Sequence, residues 1–139
     1  MVLTRDTSST MRTFGAIINE VHTDLAITEY ENMIFVIITQ TEKLGPMILV
    51  DKTSARNWEG EQDAYFMSHL FGKEDEWCQS LARYLSDYTH PPKPVLYSIL
   101  VKEEQKTLDT MEAVRDLIND QKIWSTPEHQ GLNVEEMLT

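Results

Sequence analysis

The run Met33-Ile34-Phe35-Val36-Ile37-Ile38 restricts the fold more than any other stretch of the chain. It is β-branched and aromatic, as a strand prefers, and it never alternates apolar with polar residues. A strand with one wet face does alternate, so both faces of this one require cover by other protein. Residues 95–101 form a second, nearly unbroken apolar run and make the same demand.

The rest of the chain supplies the cover for one side. Residues 1–11 are Ser/Thr-rich and aperiodic and are expected to form a flexible N-terminus. Residues 12–20 and 23–30 read as two strands, and Glu31-Asn32 as a two-residue hairpin turn, since Asn tolerates the positive φ that such turns use. After the central run, Thr41 to Leu44 with Gly45-Pro46 read as a longer hairpin connection, and residues 47–50 as a fourth strand paired back on the third. Residues 51–63 make a polar loop holding Trp58. That Trp either covers a sheet edge or anchors a partner subunit. Residues 64–71 resume strand composition and stop at Gly72.

Two helices follow. Glu74, Asp75 and Glu76 place negative charge where a helix N-terminus favours it, and Trp77, Leu81, Leu85 and Tyr88 recur at helical spacing. His90-Pro91-Pro92-Lys93-Pro94 ends that helix. After the strand at residues 95–101, Thr107 can cap a second helix, with its stripe at Leu108, Met111, Val114 and Leu117 or Ile118. Residues 12–124 thus read as one domain, and residues 125–139 as a flexible C-terminal tail whose Val134, Met137 and Leu138 could fold as an amphipathic helix against something else. The order β-β-β-β-β-α-β-α predicts an α+β fold: a mainly antiparallel sheet of about six strands, with both helices on one face and the other used for dimerisation.

The hairpin names that second face. A two-residue turn at Glu31-Asn32 sets Tyr30 opposite Met33, and residues opposite each other point to the same side. One face then carries Leu25, Ile27, Ile34, Val36 and Ile38, an aliphatic set suited to the helices. The other carries Ala26, Thr28, Tyr30, Met33, Phe35 and Ile37, whose mixture of aromatic, Met and polar residues suits a partner protein.

Charge and chemistry narrow the function. With 12 Lys and Arg against 23 Asp and Glu, the net charge of -11 opposes binding to nucleic acid and anionic membranes and favours basic protein surfaces. No apolar run approaches the roughly 20 residues of a membrane span, and the N-terminus lacks a secretory h-region. The lone Cys78 fits a reducing compartment, so a cytoplasmic and also nuclear protein is expected. There is no phosphate loop, nucleophile elbow or metal-spaced His/Cys set. His22, His69, His90 and His129 are dispersed, and Cys78, beside the helical stripe, reads as a buried thiol. The chain is expected to be no enzyme and to need no cofactor.

Val21-His22-Thr23, then Phe35-Val36-Ile37-Ile38-Thr39-Gln40 with Lys43-Leu44-Gly45, and Leu70-Phe71-Gly72 form an ordered set. It continues with Ser98-Ile99-Leu100-Val101-Lys102, Met111-Glu112-Ala113-Val114-Arg115-Asp116-Leu117-Ile118 and Ile123-Trp124. In order and spacing this set resembles the eukaryotic proteasome assembly chaperone 3 family, from about Arg12 to Trp124. The resemblance implies a non-catalytic chaperone of early 20S proteasome α-ring assembly. It implies a heterodimer with the companion assembly chaperone 4, or a homodimer, formed by stacking sheets, that engages α-type subunits, chiefly type 5. The matching Lys43 and Gly45 imply a shared turn and no shared contact. A small dimeric scaffold or adaptor domain of the trafficking type is the alternative reading.

Overall fold

A computed structural model of the protein describes residues 10–53 and 64–121. The expectations for Trp58, for the remainder of the 51–63 loop from residue 54 on and for the C-terminal tail therefore lie outside the described residues, as do those for residues 1–9. Six strands are present: β1 (Thr10–Ile18), β2 (Val21–Glu29), β3 (Ile34–Thr39), β4 (Met47–Thr53), β5 (Ala64–Phe71) and β6 (Val95–Leu100). Helix α1 (Glu76–Thr89) lies between β5 and β6, and a 3-10 turn (Glu103–Gln105) leads into α2 (Leu108–Gln121). The expected α+β class and element order are those of the structure.

The sheet runs β1-β2-β3-β6-β4-β5. Neighbours are antiparallel except for β3 and β6, which are parallel, with Ile34 beside Val95 and Ile38 beside Ile99. This corrects the expectation that β4 pairs back on β3, because β6 inserts between them and β4 pairs with β6 and β5. The reason is burial. A parallel pair joined through a crossover helix belongs in a sheet's interior, and β6 brings Val95, Tyr97 and Ile99, none of them exposed to solvent. Gln40 fastens the joint: its backbone N–H donates to Leu100 O at 2.9 Å and its Oε1 accepts from Lys102 N at 2.9 Å.

Turn chemistry differs from the expectation at two places. Asn19 and Glu20, expected within the first strand, take φ of 51° and 71° and form the β1–β2 turn. Two consecutive positive φ values are what a two-residue hairpin with the right twist requires. The Glu31-Asn32 turn closes with Tyr30 N donating to Met33 O at 2.8 Å, without a positive φ at either residue. Its register is as expected: Leu25 opposes Ile38, Ile27 opposes Val36 and Thr28 opposes Phe35. Lys93 holds this hairpin to the start of β6 through Glu29 Oε2 at 2.9 Å and Tyr30 O at 2.7 Å.

The core lies between one sheet face and the helices. Leu25, Ile27, Ile34, Val36 and Ile38 are all buried there with Ile48, Val50, Tyr97 and Ile99. From α1 come Cys78, Leu81, Ala82 and Leu85, and from α2 Val114 and Ile118. Tyr88 and Leu108, expected in the helical stripes, are exposed. Leu108 occupies the first turn of α2 ahead of the buried Thr110. Tyr88 is turned outward at the end of α1, where it meets the Tyr84 ring at 5.5 Å and the Arg115 guanidinium at 4.6 Å. Arg115 also donates to Tyr84 Oη at 2.7 Å, so this cluster ties the two helices together.

The two helix starts are joined by charge. Asp75 caps α1 by accepting from Cys78 N at 3.0 Å and pairs with Lys106, which also reaches Glu103 at 3.1 Å. Thr107 caps α2 as expected, with Oγ1 accepting from Thr110 N at 3.2 Å. Burial raises the Asp75 pKa, but the hydrogen bond and charge of Lys106 with the Cys78 amide outweigh it and hold the carboxyl below its ordinary value. A depressed carboxyl pKa adds stability above the unfolded value, near 4, and loses it as pH falls through the folded value. Asp75→Asn is expected to flatten the acid limb of the stability curve below about pH 4, with a loss of about 1 kcal/mol at neutral pH. Urea unfolding at stepped pH would measure both, and an unchanged acid limb would contradict the assignment.

Candidate functional site

Alternation along the strands sends one set of side chains away from the helices, and the register aligns them across the sheet. Ala26 lies beside Ile37, Thr28 beside Phe35, and Tyr30 across the turn from Met33. All six residues singled out from the sequence therefore share the face opposite the helices. Ala26, Thr28, Met33, Phe35 and Ile37 are half-buried, and Tyr30 is exposed.

The same face is larger than the hairpin alone predicts. The row through Thr28 and Phe35 begins at Met11 on β1 and continues through Leu96 on β6 to Leu49 on β4. On β5 the row ends at Ser68, opposite Leu49, and Phe66 lies one row further along the same face, opposite Asp51. Met11 is 63 % exposed, Phe66 62 % and Ile17 67 %. Leu96 belongs to an apolar run visible in the sequence, but its place beside Phe35 depends on the insertion of β6. No local signal reports that insertion.

Polar groups border this apolar field. On β2, His22 Nε2 and Asp24 Oδ1 lie 2.8 Å apart at the β1–β2 end. Toward the end of β6, Ser98 is fully buried although it faces away from the helices, because Gly45 passes against it. Ser98 Oγ accepts from Gly45 N at 2.9 Å and donates to Gly45 O at 3.3 Å. An apolar centre with a polar margin is the anatomy of a protein-binding face.

The groups that could carry chemistry lie elsewhere and are otherwise engaged. Cys78 is buried in the core, and burial together with the nearby Asp75 carboxylate pushes its pKa up to about 12, so it is a neutral thiol at physiological pH. Among the described residues no group of His, Cys, Asp and Glu is arranged to hold a metal ion, and no helix is long and apolar enough to cross a membrane.

Comparison with known proteins gives three results. No curated protein matches the sequence. A chain from a yeast chaperone complex for 20S proteasome assembly superimposes with a TM-score of 0.49 at 12 % identity, covering 77 % of this chain and 97 % of that one. The sequence pattern of proteasome assembly chaperone 3 matches residues 36–121, a span from the central strand through both helices, and the protein belongs to the proteasome assembly chaperone 3 family.

Proposed function

We propose that the protein promotes early assembly of the 20S proteasome α-ring as a dimer, stacking the sheet face of Phe35 against a chaperone of similar fold. The companion is assembly chaperone 4, or a second copy when the companion is absent, and the pair binds α-type subunits, chiefly type 5. It does so in the cytoplasm and also in the nucleus, where the reduced Cys78 is stable. Trp58 is assigned to the subunit contact. The observation supporting this is the apolar face, which neither α1 nor α2 covers among the described residues, in a member of an assembly-chaperone family. Exposed fields of this kind on a folded domain mark interaction surfaces.

The test is purification of the endogenous complex. The expected result is co-recovery of the companion chaperone with α-type subunits and ring intermediates, and a protein that sediments as a dimer at micromolar concentration when alone. A folded monomer without α-type subunits would overturn the reading.

A further inference from the structure

Two helices do not cover the helix side of this sheet. Six strands at about 4.8 Å spacing are about 24 Å across, whereas helices about 10 Å apart shield roughly 20 Å. The shortfall falls at β5. The chief strand neighbours of α1 are β4 and β6, and that of α2 is β1, so β5 projects beyond α1 and leaves a groove of about 840 Å³. Its floor is Ile48 and Met67, and one wall is His69. The other wall is the flank of α1, where Glu76, Gln79, Ser80, Arg83, Tyr84 and Asp87 recur at i, i+3, i+4, i+7, i+8 and i+11.

The groove is acidic and has an unfilled polar requirement. Glu74, Glu76 and Asp87 line it against a single Arg83. No ion pair to another described residue engages any of these four. His69 Nε2 donates to Gly72 O at 2.6 Å, which leaves Nδ1 as the acceptor. That atom is buried without a hydrogen-bond partner in the described structure, and such an atom calls for a donor. An apolar floor, acidic walls and an unsatisfied acceptor suit a chain bearing donor-rich cations over apolar neighbours.

We propose that the groove between β5 and α1 docks a basic, amphipathic segment of a partner protein that presents lysine or arginine side chains to Glu76 and Asp87. The groove lies on the opposite side of the sheet from Phe35, so it can be filled while that face is paired. This site does not depend on the assembly role proposed above.

The probe is a fluorescein-labelled amphipathic peptide with lysine on one face and leucine on the other, titrated into the full-length protein at physiological salt. Binding should shift the backbone amides of Met67, His69, Gln79 and Arg83. The doubly substituted E76K/D87K protein should bind at least about tenfold more weakly, since two attractive pairs become repulsive. D109K/D120K makes the same change of net charge at exposed positions of α2 and should stay within about twofold of the parent. Both variants alter exposed side chains, and circular dichroism would verify that they fold. Equal weakening by the two variants would show charge attraction without a site, and shifts on the Phe35 face would place the peptide elsewhere. Equally tight binding of a peptide with serine for lysine would make the occupant apolar, and loss of self-association in E76K/D87K would make it a second copy. Any of these results would overturn the proposal.

Discussion

Val36→Asp is expected to prevent folding, while the same replacement one residue earlier, Phe35→Asp, is expected to leave a folded chain that lacks the proposed self-association. Val36 is fully buried between β3's neighbours and the helices. A carboxylate there would have no partner, and its cost of about 4 kcal/mol or more is comparable to the whole stability of a domain. Phe35 faces away from the helices and is half-buried, so its replacement should change monomer stability by less than about 1 kcal/mol while removing an aromatic anchor. Loss of such an anchor is worth roughly 3 kcal/mol, or about a hundredfold in Kd. Circular dichroism and sedimentation of the two variants would separate the outcomes. A misfolded Phe35→Asp beside a folded Val36→Asp would reverse the face assignment, and a folded Phe35→Asp that still dimerises would move the interface elsewhere.

Gly45→Ala should cost about 3 kcal/mol and lower Tm by roughly 10 °C. A Cβ at this position would lie 2.1 Å from Ile99 O and 2.5 Å from Ile99 C. These atoms belong to the backbone of the buried strand β6, which cannot rotate aside as a side chain can. Either β6 shifts, disturbing its pairing with β3, or the 45–46 segment lifts away and its two hydrogen bonds with Ser98 break. Because Gly45 borders the Phe35 face, the proposed dimer should weaken together with stability. Thermal unfolding and sedimentation of the single variant measure both, and a Tm within about 2 °C of the parent would contradict the close approach.

Much of this architecture was legible one element at a time. The acidic start of α1 at Glu74 to Glu76, capping at Thr107 and strand composition at β5 are local properties, and the structure has them where the residues imply. The Glu31-Asn32 turn made the two faces of β2 and β3 readable as well, since a tight hairpin sets register and register decides which residues point together. That is why Leu25, Val36 and Ile38 could be placed in the core from the chain alone. The helical stripes were read less well at their ends, where Tyr88 in the last turn of α1 and Leu108 in the first turn of α2 have the right spacing but are exposed.

Strand order was beyond such reasoning. Residues 95–101 read as an interior strand, but nothing near them states that they enter between β3 and β4, because pairing partners far apart in sequence leave no mark in local composition. From that insertion come the full apolar face, with Leu96 beside Phe35, and the close passage of Gly45 over Ser98. The acidic groove is a matter of the assembled fold too: Glu76 marks a helix start in the chain, and it joins Asp87 in one wall only where the sheet is wider than its two helices and β5 projects past α1. Periodicity and turn residues dictate what each segment can be, since they act over a few neighbouring residues. Which segments meet is decided by burying the whole apolar surface at once, and only the tertiary structure contains that answer.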